Sequence, residues 1–397
     1  MKCKKNGYWI RWTTTLAASL LLAGLAFPRF GYVQEKPEKR VVVGAVLDLT
    51  GPGAARGRHA RDALLLEETR FNENKDSSVA RVHLVTIDSE GKALVAAKAV
   101  ERLADEFGAV AVVGPGGRGE ALAAAQKAEE KRIPLVALSA PEEIFEPLKR
   151  WVFSTAHRAT TAVSLSYFHV RSRGFNKIAI LSSDDAMGRE GREALSALAP
   201  EAGLSIFLNH KFSDKEHNFL PFLKKANLRG AQVFLHWSNG ASRLALARAR
   251  QALDLRIPVY LSTMVSRRYG NGSSSRSTEG LIFPVPRLFA VHLFSKTATD
   301  WREAHEFRAS FLSRFGQTPD GLAGYAADAF RLIAESLKGA NASRGKVRRK
   351  IEVSSPFVGL TGTYRFSETD HNGLKPNSLV LIQIKKGKWT LARTKNR

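Results

Sequence analysis

Val41-Val42-Val43-Gly44-Ala45-Val46-Leu47 runs into Thr50-Gly51-Pro52-Gly53-Ala54-Ala55-Arg56-Gly57, and later Ala109-Val110-Ala111-Val112-Val113 runs into Gly114-Pro115-Gly116-Gly117-Arg118-Gly119. Each apolar run reads as a buried strand of a parallel sheet, and a stretch of helical periodicity follows each set of glycines. Glycine allows a tight turn and close backbone approach, and the helix start behind it offers free N–H groups to an anion. Each loop also carries an arginine near its tip, Arg56 and Arg118. Two such loops at the carboxyl ends of strands in one sheet mark where an α/β protein holds a ligand.

The alternation continues outward from these loops. Val82 to Ile87 and Leu135 to Leu138 read as further strands, with helices at Ala93 to Phe107 and Glu120 to Lys131. This βαβ rhythm implies a parallel sheet covered on both faces. It pauses near Trp151-Val152-Phe153-Ser154 and restarts. Strands at Lys177 to Leu181, Val233 to Leu235 and Val259 to Leu261 then alternate with helices near 189–198, 219–226 and 242–252. Tyr269 to Thr278 (YGNGSSSRST) reads as a flexible loop. Ile282-Phe283 leads out of this second unit, into helices at Thr299 to Phe315 and Ala323 to Leu337. The tail reads as β structure at Thr361 to Phe366 and Leu379 to Ile384, with turns at His371-Asn372-Gly373 and Lys386-Gly387.

At 397 residues and 44% apolar content the chain is long enough for two globular units. Its start reads as an export signal: Lys2, Lys4, Lys5 and Arg11 precede a 15-residue apolar stretch, Thr13 to Phe27. That is shorter than the roughly 20 residues a membrane span requires. Cleavage is expected after Ala26, with residues 27–40 as a linker; an uncleaved N-terminal anchor is the alternative. Cys3 is the only cysteine, so a mature chain would hold no disulfide, thiolate metal site or cysteine nucleophile. The net charge is +24. The basic residues are spread along the chain, and runs such as Lys346-Val347-Arg348-Arg349-Lys350 read as solvated faces rather than nucleic-acid arms.

Taken in order, several fragments resemble the branched-chain amino-acid type of periplasmic binding protein, the solute receptors of ABC importers. They are Val43-Gly44-Ala45-Val46 with Leu49-Thr50-Gly51-Pro52, Asp88, Val112-Val113-Gly114-Pro115, Ile133-Pro134-Leu135-Val136, and Asp184-Asp185 before Met187-Gly188. Glu279-Gly280-Leu281, Gly324-Tyr325-Ala326-Ala327-Asp328-Ala329, and Gly359-Leu360-Thr361-Gly362 with Arg365-Phe366 complete the set. The resemblance covers about Val41 to Leu391. It implies an α/β fold of two Rossmann-like lobes with parallel central sheets, joined by three crossovers and closing by hinge motion on a ligand. The crossovers would fall near Phe153-Ser154, Phe283-Pro284 and Phe357-Val358. Lobe one would then hold 41–153 plus 285–356, and lobe two 154–284 plus 357–397.

The resemblance also implies which residues face the ligand. The loop after Gly114-Pro115 places Gly117 and Arg118 where the family carries a hydroxyl residue for the ligand's carboxylate. The next loop contributes Ser139 and Ala140, with Pro141 where threonine is usual. The loop at Asp185 has Met187 in place of the usual tyrosine, and Thr263 falls where an acid would meet the ligand's ammonium. Trp237 and Ser238 lie in the loop after another strand, and Arg56 comes from the first glycine loop. The amino-group partners are thus missing and two arginines have appeared, which points to an anionic ligand without an essential amino group, such as an organic carboxylate. The alternatives are that Arg56 and Arg118 face solvent or pair with Glu120 or Asp48, and that Trp237 is packing rather than a stacking platform.

Gly114, Gly116 and Gly119 also satisfy the dinucleotide pattern G-x-G-x-x-G, but no acidic residue follows at a strand end about 20 positions on. The histidines show no metal-ligand spacing, and Asp184-Asp185 has no accompanying nucleophile and base. Neither a cofactor, a metal nor catalysis is expected. The function expected is an exported, periplasmic solute-binding protein that closes on a small molecule and presents it to an ABC permease, as a monomer or weak dimer without nucleic acid. The other class is a sensing subunit of the same fold that signals to a membrane partner.

Overall fold

The computed structural model describes residues 40–73, 80–213, 216, 218–238, 242–262, 276–295, 299–338, 342–353 and 356–393. The expected signal, nearly all of the linker, Thr263 and most of the glycine/serine loop lie outside these residues.

The first sheet is built from β1 (Arg40–Leu47), β2 (Arg81–Asp88), β3 (Ala111–Val113), β4 (Leu135–Ala137) and β5 (Val152–Ser154). Its order is β2-β1-β3-β4-β5 with parallel pairing throughout. Three intervening helices, α1 (Ala54–Glu73), α2 (Ala93–Asp105) and α3 (Arg118–Lys131), make the crossovers between these strands. Val43, Ala45, Val46 and Leu47 have no exposed surface. A continuous apolar run is what a strand covered on both faces requires. Val43, Ala45 and Leu47 join the first core, and Val46 joins a smaller cluster on the opposite face of the sheet.

The second sheet combines β6 (Lys177–Ser183), β7 (Ser205–Phe212), β8 (Val233–Trp237), β9 (Val259–Leu261) and β10 (Ile282–Pro286) with β13 (Leu379–Lys385) and β14 (Lys388–Leu391). The first five are parallel, and β13 and β14 add antiparallel at the β10 edge. Its helices are α4 (Ala159–Ser172), α5 (Ala186–Leu198), α6 (Leu220–Leu228) and α7 (Ser242–Ala252). The remaining elements are α8 (Arg287–Ala290), α9 (Thr299–Phe315), α10 (Gly321–Leu337), α11 (Arg344–Val353) and a short hairpin of β11 (Phe357–Val358) and β12 (Thr363–Tyr364).

Several elements escape the sequence reading, among them the short β5, α8, β11 and β14, and three are longer than four residues. One is α4, and another is β7, an edge strand whose Asn209, His210 and Lys211 break the apolar run. The third is α11, which contains the basic run 346–350. Val347 and Ile351 belong to the first core, and the Arg344 guanidinium donates to the carbonyls of Ala104, Ala109 and Lys131. Only part of that run is a solvated face.

The chain passes three times between the first core and a second core built on the second sheet, and two passages differ from the expected positions. The first follows β5. Pro284 sits inside β10, paired with Leu381, and the second passage comes at α8: Leu288 joins the first core and Phe289 the second. The third does not fall at Phe357-Val358, because Leu360, Tyr364, Phe366 and Leu374 all pack in the first core. The chain reaches the second sheet only at β13.

The late third passage has a local cause. The Asp328 carboxylate on α10 is fully buried and accepts from the N–H groups of Leu360 (2.6 Å) and Thr361 (2.9 Å) and the hydroxyls of Thr361 (2.5 Å) and Tyr364 (3.1 Å). The Tyr364 hydroxyl also lies 3.0 Å from the carbonyl of Thr155, in the first passage, so its one proton is shared between the two acceptors. Replacing Asp328 with alanine would strand these donors, at about 1–3 kcal/mol for each buried group left unpaired. We expect Asp328→Ala to lower unfolding stability by at least about 3 kcal/mol in a urea titration, and a midpoint matching wild type would contradict this role.

Candidate functional site

The junction of the two lobes holds an open cavity of about 250 Å³. Gly116, Gly117, Arg118, Ser139, Ala140 and Pro141 line it from the first lobe, with Arg56 from the start of α1. His157 and Arg158 reach it from the first passage, and Met187, Glu190 and Trp237 from the second lobe. Seven of the expected site residues therefore come together: Arg56, Gly117, Arg118, Ser139, Ala140, Met187 and Trp237. The two glycine loops converge here because β1 and β3 are neighbours in the sheet.

Gly117 is the N-cap of α3 in extended conformation, and a Cβ there would lie 2.0 Å from the Glu120 carboxylate. A side chain there would have to displace the Glu120 carboxylate, and with glycine in place the α3 start faces the cavity as bare backbone. Glu120 itself is buried and takes a hydrogen bond from Ser89 Oγ; burial raises its pKa. Arg56 is exposed at the cavity edge and has no ion pair among the described residues.

Arg118 behaves differently from the expectation that it awaits a ligand carboxylate. Its Nη2 donates to Glu143 and its Nη1 to Glu190 on α5. Nor do the alternatives of solvent or of Glu120 and Asp48 apply. Glu190 also corrects the reading that the cavity lacks an acid. Burial raises its pKa, while Arg118 pulls in the opposite direction. The missed signal was helical spacing: Met187 and Glu190 are three apart and share a face of α5.

Two expected residues serve the scaffold instead. Asp185 caps α5, accepting from Gly188 N–H at 2.7 Å and from Ser183 Oγ at 2.8 Å. Ser238 is fully buried, bonded to Ser242 Oγ at 2.7 Å, and its carbonyl accepts from the Arg243 guanidinium. Trp237 is only 3% exposed and packs in the second lobe's core, at the border of the cavity. Its close fit depends on Gly191 of α5, where a Cβ would lie 2.0 Å from the indole.

His157 escaped the sequence reading because it belongs to no motif. Its Nδ1 meets Tyr325 Oη and its Nε2 meets Ser378 Oγ, both at 2.8 Å. Burial pushes its pKa down to about 3, so the ring is neutral at physiological pH. Among the described residues no group of three or more His, Cys, Asp or Glu side chains is arranged to hold a metal ion. A larger hollow of about 540 Å³ involves the first lobe alone, lined in part by Phe71, Phe330, Glu67 and Arg331. Its Arg331 and Glu67 already satisfy one another through two bonds of 2.8 and 3.0 Å. A hollow of about 450 Å³ beside the 250 Å³ cavity is also lined by both lobes and shares Arg118, Arg158 and Glu190 with it. The cleft that these two make between the lobes is the candidate site.

Comparison with known proteins agrees with this architecture. A profile of the periplasmic binding protein family matches residues 40–388, and the chain belongs to that family. Among solved structures, a substrate-binding protein of an ABC transporter from Desulfitobacterium hafniense superposes with a TM-score of 0.74 at 18% identity, covering 89% of this chain and 100% of that one. The branched-chain amino-acid binding protein LivJ of Streptococcus pneumoniae, in complex with isoleucine, gives 0.70 at 18% identity, covering 89% and 99%. A curated relative, Glutamate receptor 1.2 of Arabidopsis thaliana, is 24% identical over 198 residues, 49% of this chain and 22% of that protein. The chain thus matches about a fifth of that relative's length.

Two expectations follow from the site's scaffold. Asp185→Ala should cost about 1 kcal/mol, the usual value of a helix N-cap, and calorimetry would show a lowered Tm. The second concerns pH. His157 and the buried His236 both have pKa values near 3, lowered from 6.5 mainly by burial. The unfolded chain binds the extra protons, so stability is complete above about pH 6.5 and falls as pH drops toward 3. His236→Phe, which keeps the ring stacked on Phe212, should flatten part of that slope in urea midpoints measured from pH 7.5 to 5; an unchanged slope would contradict the assignment.

Proposed function

We propose that this protein is an exported solute receptor that closes on a small ligand between its lobes and delivers it to an ABC importer. The observation that carries the reading is the 250 Å³ cavity lined by both lobes and by the first connection between them. The ligand's anionic group meets Arg56 and the bare backbone at the start of α3, where N–H groups and the helix dipole favour negative charge. An organic carboxylate fits those partners. The stretch shared with a plant protein named as a glutamate receptor favours a second reading, in which the same closure signals to a membrane partner.

A thermal-shift panel of small carboxylates and amino acids tests the ligand class. Carboxylates should raise the Tm of the wild type, and Arg56→Ala should weaken their binding about 10- to 100-fold, as expected for a charge-assisted bond of about 1.5–3 kcal/mol. Stabilisation by aliphatic amino acids alone would overturn the carboxylate assignment. Solute uptake that persists after deletion of the gene would favour the sensing reading.

A further inference from the structure

The chain carries 61 Lys and Arg against 37 Asp and Glu, yet the hollow beside the cavity, which shares Arg118, Arg158 and Glu190 with it, gathers Glu142, Glu143, Glu146, Glu190 and Glu193. Two arginines are held there, and each bonds across from one lobe to the other. Arg118 begins α3 of the first lobe and donates to Glu190 on α5 of the second, as well as to Glu143 of its own lobe. Arg158 is the N-cap of α4, in the second lobe, and donates to Glu142 and, at 3.4 Å, to Glu146 in the first. The exchange is reciprocal.

The Arg118 pairs are the more telling because their partners are distant in sequence. The Arg118 side chain is 23% exposed and that of Glu190 17%, so solvent screens this pair less than an exposed one. A guanidinium can form a two-pronged pair with a single carboxylate. Here its two terminal nitrogens go to two different carboxylates, one from each lobe.

We propose that Glu190 and Glu143 act as internal ligands of Arg118, occupying its guanidinium as a solute carboxylate would and latching the lobes together when no solute is present. Arg118 is then a closure residue, and Arg56 is the arginine left for the solute. The proposal deepens the receptor reading and rests on it only in taking the cavity as the solute site. Its test uses no solute, so its failure would leave the receptor reading standing. Failure of the carboxylate panel would likewise leave the latch.

Spin labels at Leu94→Cys on α2 and Leu228→Cys at the end of α6, both highly exposed at 79% and 86%, report the distance between lobes in the full chain carrying Cys3→Ser. Without solute, double electron–electron resonance should show mainly one short distance. Glu190→Gln combined with Glu143→Gln should reduce that population at least threefold in favour of a longer one, and Arg118→Met should do the same. Glu193→Gln, on the same helix and rim, should leave the distribution unchanged. Superimposable distributions for wild type and the Arg118 or Glu190/Glu143 variants would overturn the latch, as would equal opening by Glu193→Gln or a wild type already at the long distance.

Discussion

The Asp328 carboxylate gathers donors from a loop more than thirty residues further along the chain, and much of the molecule is organised by that attachment. A buried carboxylate is costly unless its oxygens are occupied. Leu360, Thr361 and Tyr364 occupy them, which fixes the loop against α10. Tyr364 then reaches Thr155, and Thr155 Oγ donates to the Tyr325 carbonyl at 2.9 Å. Asn372 donates to the Ala156 carbonyl at 2.7 Å and Ser154 N–H to that of His371 at 3.1 Å. The first and third connections between the lobes are therefore cross-linked to each other and to the same helix. Relative motion of the lobes has to be absorbed beside this knot, at the edge of the cavity that His157 enters.

Charge around the cavity is sorted rather than simply basic. Arg118 and Arg158 are engaged by glutamates at the rim, whereas Arg56 stands at the glycine loops without an ion pair among the described residues. Behind those loops, Glu120 is buried and held by Ser89. The strong positive charge of the whole chain says little about this arrangement. Short-range partners decide which cations remain available at the site.

Much of the fold was legible in the sequence, because a parallel strand buried on both faces leaves an unbroken apolar run such as Val41 to Val46. The glycine loops were legible because their turns need bare backbone: Gly114 has a positive φ, and a Cβ there would lie 2.1 Å from the Val46 carbonyl oxygen. Partner choice was not legible. The Arg118–Glu190 pair joins residues 72 apart, and Asp328 meets a loop that its own helix does not predict. The carboxylates at 120, 185, 190 and 328 look alike in one dimension. Folding makes one a buried partner of Ser89, one a helix cap, one an inter-lobe pair and one the anchor of a connection. The basic run in α11 misled for a related reason, since two apolar residues at helical spacing placed it partly in the core.

The contact between Trp237 and Gly191 bears on how this cavity can diversify. The indole presses against the bare backbone of α5, so position 191 admits no side chain without pushing the ring from its place. Met187 and Glu190, on the same helix, have no such restriction and face the cavity. In descendants of this gene, the aromatic floor and the glycine beneath it should therefore vary together or not at all. Met187 can drift one substitution at a time, whereas Glu190 is held to Arg118. Divergence among paralogues would accordingly be recorded in the helix and not in the strand.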